Sequence, residues 1–330
     1  MNNFLKYLLL LIYIISIGEI SLRVISYLTN ISDIEKLKYA RKFIKNNNNL
    51  NLSNVHKPYA QSKLMGVNIE LNSLGHRNKE LRTDKSENEY RIYVAGGSPI
   101  LGWGVKKENT FSSILERRLN ANKEIRKNNR NIFVINAGIM NTNTKDHYSL
   151  FENQFNSTKP DALILGYFIN DAEIINKKKN NLILKHSYFL AFIYQRIASY
   201  FFQGNISDYY VKLYNENSLG WVSVIHSIEN LQIFCKKNNV DFNILFLPNH
   251  HDFSENNKLS SLYSKINNKF LSMNISVINT FDSLSKEFKT NPKLSWIAKD
   301  DSHPNFKAHE IIADDLYNFL ITKQSNSIIK

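Results

Sequence analysis

A chain of 330 residues, 43% of them apolar, carries enough hydrophobic side chains for a sizeable core, which excludes wholesale disorder. Its single cysteine, Cys235, excludes an internal disulfide framework without deciding the compartment. The formal net charge of +13 invites a nucleic-acid reading, yet the basic residues are scattered apart from residues 177–179 and no nucleic-acid motif accompanies them, so no nucleic-acid partner is expected.

Residues 7–18 carry no charge and include four consecutive leucines, Leu8 to Leu11. Apolar positions continue at Ile20, Leu22, Val24, Ile25 and Leu28, interrupted by Glu19 and Arg23. Those two lie four apart and so face each other on a helix. The run falls between the ~20 residues that cross a hydrocarbon core and the roughly 7–15 of a signal-peptide core. An uncleaved anchor over residues 1–30, contacting the lipid bilayer, is the favoured expectation. A signal cleaved after Ser16-Ile17-Gly18 and an amphipathic or buried helix are the alternatives. One lysine precedes the apolar run, whereas Arg23, Lys36, Lys38, Arg41 and Lys42 follow it, offset by Glu19, Asp33 and Glu35. A strict positive-inside count therefore holds the body in the cytoplasm.

Residues 31–87, Asn-rich at 47–54, read as a linker and leading segment. From residue 88 to 330 apolar runs alternate with helical patterns. Strands are expected at 91–95, 132–136, 162–165, 242–247 and 276–278, and helices at 110–120, 145–156, 221–237, 255–271 and 305–320. Such alternation predicts a parallel sheet with helices on both faces and ligands beyond the carboxyl ends of its strands. Residues 173–218 form an insertion whose stretch 187–210, rich in Tyr and Phe, is expected to cap the site or to serve as core packing. Cys235 lies in the apolar pattern of Ile225, Ile228, Leu231 and Phe234 and reads as a core thiol.

Three post-strand or pre-helix segments carry candidate chemistry. Gly96-Gly97-Ser98-Pro99 follows the first strand. The glycines permit a sharp turn and Pro99 suits a first helical position, which sets Ser98 at a helix start where negative charge is favoured. Asp300-Asp301-Ser302-His303-Pro304-Asn305 precedes the closing helix. A histidine takes the proton of a serine hydroxyl near neutral pH, and a carboxylate on its other nitrogen fixes its tautomer. Asp300, three residues before His303, is the expected carboxylate, with Asp301 out of register. Asn170-Asp171 follows the third strand, where an Asn amide can donate to a developing oxyanion. His250-His251-Asp252 reads as a solvated loop or a substrate contact. It does not make a metal site, and no cofactor is expected.

In order and spacing these segments resemble the SGNH (GDSL-type) hydrolase superfamily. Gly97-Ser98 stands for its first block, Asn136 to Thr144 for its second, Asn170-Asp171 for its third and Asp300-x-x-His303-Pro-Asn for its fifth. Asn72-Ser-Leu-Gly-His-Arg77 is similar to an element that precedes the first block in membrane-anchored bacterial members. The resemblance covers roughly residues 70–175 and 220–322. It implies a flavodoxin-like three-layer α/β/α fold, a Ser98–His303–Asp300 triad, and an oxyanion hole from Ser98, Asn141 and Asn170. Asn141 stands where the family usually has a glycine, and Asn is the non-glycine residue most tolerant of positive φ. Ser98 is also not flanked by the Asp and Leu of the GDSL name.

The function implied is a serine esterase acting through an acyl-enzyme on ester groups, O-acetyl groups of a cell-envelope polysaccharide in particular, with the catalytic domain outside the cytoplasm. That location opposes the positive-inside count. An O-acyltransferase on a glycan and a catalytically silent scaffold or glycan-binding protein are the alternatives.

Overall fold

The structure, a computed structural model, describes residues 3–45, 52–175, 186–201, 206–251, 253 and 258–323. In chain order the elements are helices α1 (Asn3–Leu28) and α2 (Ser32–Phe43), and short strands β1 (Ile44–Lys45), β2 (Val55–His56), β3 (Gln61–Leu64) and β4 (Val67–Glu70). The body follows with β5 (Glu89–Gly96), α3 (Ser98–Leu101), α4 (Phe111–Ala121), α5 (Lys123–Lys127), β6 (Asn131–Gly138), α6 (Thr144–Thr158) and β7 (Ala162–Phe168). After it come α7 (Tyr188–Phe201), α8 (Ile206–Leu213), α9 (Leu219–Lys237), β8 (Asp241–Leu247), α10 (Lys258–Ser272), β9 (Ser276–Asn279), α11 (Phe281–Phe288), β10 (Trp296–Ala298), β11 (Asp301–Pro304) and α12 (Phe306–Lys323).

Five parallel strands form the central sheet in the order β6-β5-β7-β8-β9. All eight residues of β5 are buried, as expected of a strand covered on both faces. Counted within the sheet, the order is 2-1-3-4-5, the flavodoxin-like doubly wound arrangement. Cys235 on α9 is buried in the main core, and burial pushes its thiol up to about 12.

The chain direction across the sheet reverses between β5 and β7, which is where such folds open a crevice at the strands' carboxyl ends. Three glycines shape that edge. Gly96 pairs in register with Gly138 on one side and Gly166 on the other. A Cβ on Gly138 would lie 2.1 Å from the Leu101 nitrogen, and one on Gly166 2.1 Å from the Ile100 side chain. The missing side chains let α3 settle onto the sheet edge.

The segment 31–87 is not a linker where it is described. Tyr39 and Phe43 of α2, with Leu64, Met65, Ile69 and Leu71, form a second core with Leu101, Trp103 and Met140 of the body. The β3–β4 hairpin turns through Met65 and Gly66, both at positive φ, as its two-residue turn requires. The sequence reading fails here because strands of two to four residues leave no measurable periodicity.

Helix α1 has 26 residues and is long and apolar enough to cross a membrane, and the side chains from Phe4 to Ile14 are exposed. Glu19 and Arg23 pair at 2.7 Å as their spacing predicts. Glu19 also accepts from Ser187 Oγ, Tyr188 N and Phe189 N, which fastens α1 to the start of α7. Residues 176–185 of the expected insertion, which include 177–179, residues 202–205 of the expected cap, and Asp252 lie outside the described residues.

Candidate active site

Ser98 begins α3 directly after β5, with Gly97 as N-cap and Pro99 inside the first turn. Its Oγ lies 2.7 Å from His303 Nε2. The first N–H groups of a helix have no partner within it, so the Ser98 amide belongs to a turn that offers donors.

The turn is held from below. Asn136 Nδ2 donates to the carbonyl of Ile100 at 2.7 Å and to Ser112 Oγ at 3.0 Å. Arg77, 2% exposed, donates to the carbonyls of Leu101 (2.9 Å), Gly102 (2.7 Å), Val105 (2.7 Å) and Asn68 (3.2 Å). Burial lowers its guanidinium to about 10, so it stays charged at neutral pH, set where the helix carbonyls are negative.

His303 sits on β11, which forms a hairpin with β10 through the turn at Lys299 and Asp300. The carboxylate that meets its Nδ1 is that of Asp301, which also accepts the His303 backbone N–H at 3.2 Å. The expectation for Asp300 is corrected: Asp300 lies exposed in the turn. The reason is geometric, since side chains two apart on a strand share a face and those three apart do not.

Asp301 is 3% exposed. Its second oxygen accepts from Ser32 Oγ at 2.7 Å and Trp103 Nε1 at 3.0 Å, and lies 3.5 Å from Lys36 Nζ. Burial works to raise its pKa. The hydrogen bond and charge of His303, the charge of Lys36 and the Ser32 hydroxyl outweigh burial and hold it well below the usual carboxylate range. Sequence reasoning missed Ser32, Lys36 and Trp103. The one available signal for Asp301 was the Asp-x-His spacing in a short extended run.

The block-two loop carries Asn141 at φ 57, the left-handed conformation expected of an Asn replacing a glycine. Its carbonyl accepts from Asn54 Nδ2 at 2.8 Å, and the neighbouring Met140 N–H donates to the Tyr39 hydroxyl at 3.2 Å. Asn170 follows β7, half-buried, and its side chain makes no hydrogen bond among the described residues. Its neighbour Asp171 is committed: it accepts from Thr144 Oγ1 at 2.9 Å, and burial pushes it well above the usual carboxylate range. Asn143 Nδ2 donates to the Glu173 carbonyl at 2.9 Å, tying the same two loops together. Asp171 and Asn143 thus fix the loop that presents Asn170.

His250 is not in a solvated loop. It is buried, its Nδ1 lies 2.9 Å from Ser295 Oγ, and its carbonyl accepts from Trp296 Nε1 at 2.7 Å. It braces the hairpin that carries His303.

The doubly wound sheet brings serine, histidine and aspartate into contact at its carboxyl edge, an arrangement that resembles a Ser-His-Asp triad. In chain order Ser98 follows the first sheet strand and His303 precedes the closing helix.

No family model and no curated protein matches the chain. Among solved structures it is similar to a lipolytic protein of the G-D-S-L family from Desulfitobacterium hafniense, at 13% identity and TM-score 0.44, over 69% of this chain and 98% of that one. It is also similar to a psychrotrophic esterase from a Pseudoalteromonas species, at 14% identity and TM-score 0.42, over 72% of this chain and 99% of that one. An acetyl xylan esterase is matched at 18% identity and TM-score 0.42, over 70% of this chain and all of that one.

Proposed function

We propose that the chain is a membrane-attached serine esterase that forms an acyl-enzyme on Ser98. The observation that carries this reading is the unbroken contact from Ser98 Oγ through the His303 ring to Asp301. His303 Nε2 takes the hydroxyl proton as Oγ bonds to the ester carbonyl carbon. The same proton then goes to the leaving alkoxide as the ester C–O bond breaks. Asp301 holds the Nδ1–H tautomer and stabilises the imidazolium. The N–H groups of Ser98 and Asn141 and the Asn170 amide are the proposed oxyanion donors. Water activated by His303 completes hydrolysis, and a glycan hydroxyl in its place gives acyl transfer.

The substrate proposed is an O-acetyl group on a cell-envelope polysaccharide, met outside the cytoplasm by a domain tethered through α1. The test is p-nitrophenyl acetate turnover by wild type and Ser98→Ala, with and without a polysaccharide acceptor, beside labelling by a fluorophosphonate. Turnover and labelling that vanish in Ser98→Ala support the reading. A folded wild type that neither labels nor releases acyl groups overturns it and favours a silent scaffold. Acceptor-dependent release with acetyl appearing on the glycan assigns transfer over hydrolysis.

A further inference from the structure

We propose that Ser32 and Lys36, on the helix that leaves the membrane anchor, are positioning residues for the Asp301–His303 pair. This rests on the triad reading above.

A carboxylate turns easily about its last torsion, which is broad and two-fold. Contact with His303 through one oxygen therefore does not fix the acid unless the other is held. Here Oδ2 accepts hydrogen bonds from Ser32 and Trp103 and lies 3.5 Å from the Lys36 ammonium. Trp103 belongs to the loop after the nucleophile turn. Ser32 and Lys36 come from α2, and Ser32 lies 269 residues from Asp301 in sequence. The body without α2 would leave Oδ2 with Trp103 alone of these three partners.

The contact belongs to a face rather than to an isolated side chain. Ser32, Lys36, Tyr39 and Phe43 are spaced 4, 3 and 4 apart and so form one stripe of a helix. Its first two members hold Asp301. Tyr39 is 3% exposed, accepts the Met140 N–H beside Asn141, and lies 2.5 Å from His56 Nε2. His56 in turn meets the Gly75 carbonyl at 2.7 Å through Nδ1. Phe43 stacks on Tyr39 at 5.2 Å between ring centroids. One helix therefore braces both the triad acid and the loop of a proposed oxyanion donor.

Ser32 lies four residues beyond the end of α1. At 3.3–3.6 Å per residue the two Cα atoms are at most about 14 Å apart. The catalytic acid is thus tied to the point where the chain leaves α1.

Other titratable groups near His303 are His250 and His309, both buried and both lowered to about 3 by burial first of all, so they remain neutral. Lys36 is then the cation facing Asp301 Oδ2. Removing its charge favours the imidazolium of His303 and moves that titration to higher pH. Losing the Ser32 donor leaves a more basic carboxylate and acts in the same direction.

The experiment uses the full-length chain in detergent, with Ser32→Ala, Lys36→Met, the conservative Ser32→Thr and Lys36→Arg, and Lys42→Met on the exposed side of α2 as control. Two quantities are read: p-nitrophenyl acetate kinetics against pH, and the His303 ring titration by nitrogen-15 NMR. Ser32→Ala and Lys36→Met lower kcat on the order of tenfold, the scale typical of a group that holds a reacting side chain through another, with KM little changed. The acid limb of kcat/KM and the His303 titration both shift to higher pH, and the conservative variants restore them. If the two variants leave the His303 titration where it is in wild type, the inference is overturned, even where thermal stability falls. A wild type inactive on every ester overturns the esterase reading alone, because the titration still judges the positioning role.

Discussion

On an extended segment, side chains two apart share a face, and β11 therefore brings Asp301 beneath the His303 ring while Asp300 stays in the turn before it. Asp301→Asn keeps the shape but favours the wrong imidazole tautomer, and the comparable change in the serine-protease triad lowers kcat by roughly 10⁴. A loss of that order is expected here, with Asp300→Asn near wild type, both read as kcat on p-nitrophenyl acetate. The pH dependence of stability has a definite sign. The native pKa of Asp301 is depressed, so its contribution is fully present above the unfolded value of about 3.9 and is lost as pH falls toward the native one. Urea unfolding should show Asp301→Asn less stable than wild type at neutral pH, with the gap closing below about pH 4. Ser98 and His303 were legible because glycines and prolines punctuate the turns around them. The carboxylate was not, since Asp300 and Asp301 differ only in whether the chain there is turn or strand. A three-residue partner strand such as β10 leaves no pattern to decide it.

Among the elements, the Ser98 turn depends on what lies beneath it. At Gly138 a methyl group would meet backbone at 2.1 Å, and backbone cannot swing aside as a flexible side chain can. Gly138→Ala should therefore lift α3 from the sheet edge. Its expected cost is about 3 kcal/mol, the upper range for overpacking. The fluorophosphonate reactivity of Ser98 should fall further than the fraction folded. Equal losses in the two readings would mean that the glycine serves packing alone. The five sheet strands and their covering helices were legible because apolar runs and amphipathic stripes repeat over whole elements. Helix α2 was not. Two members of its inward stripe are the buried Ser32 and the half-buried Lys36, whose partner Asp301 becomes visible only once the chain has folded.

Across the whole molecule, α1 is docked as well as apolar. A carboxylate in such a helix is costly unless it is paired and hydrogen-bonded. Glu19 has an ion-pair partner in Arg23 and three donors from the start of α7. Tyr188 completes the joint, with the Arg23 guanidinium 4.7 Å and that of Arg41 4.8 Å from its ring centroid. A Cβ on Gly18 would lie 2.5 Å from the Phe189 ring, so the two helices touch where α1 has no side chain. Arg196 of α7 also pairs with Asp33 of α2 at 2.9 Å. The charges that interrupt the apolar run thus join α1 to α7. Glu19→Ala separates anchoring from docking, since it lengthens the apolar run while removing the acceptor of three donors. Carbonate-washed membranes should retain Glu19→Ala as they retain wild type, whereas trypsin should cut at Arg196 faster in the variant. Release of either protein by carbonate argues against an anchor, and unchanged cleavage at Arg196 argues that α7 holds its place through α2 instead.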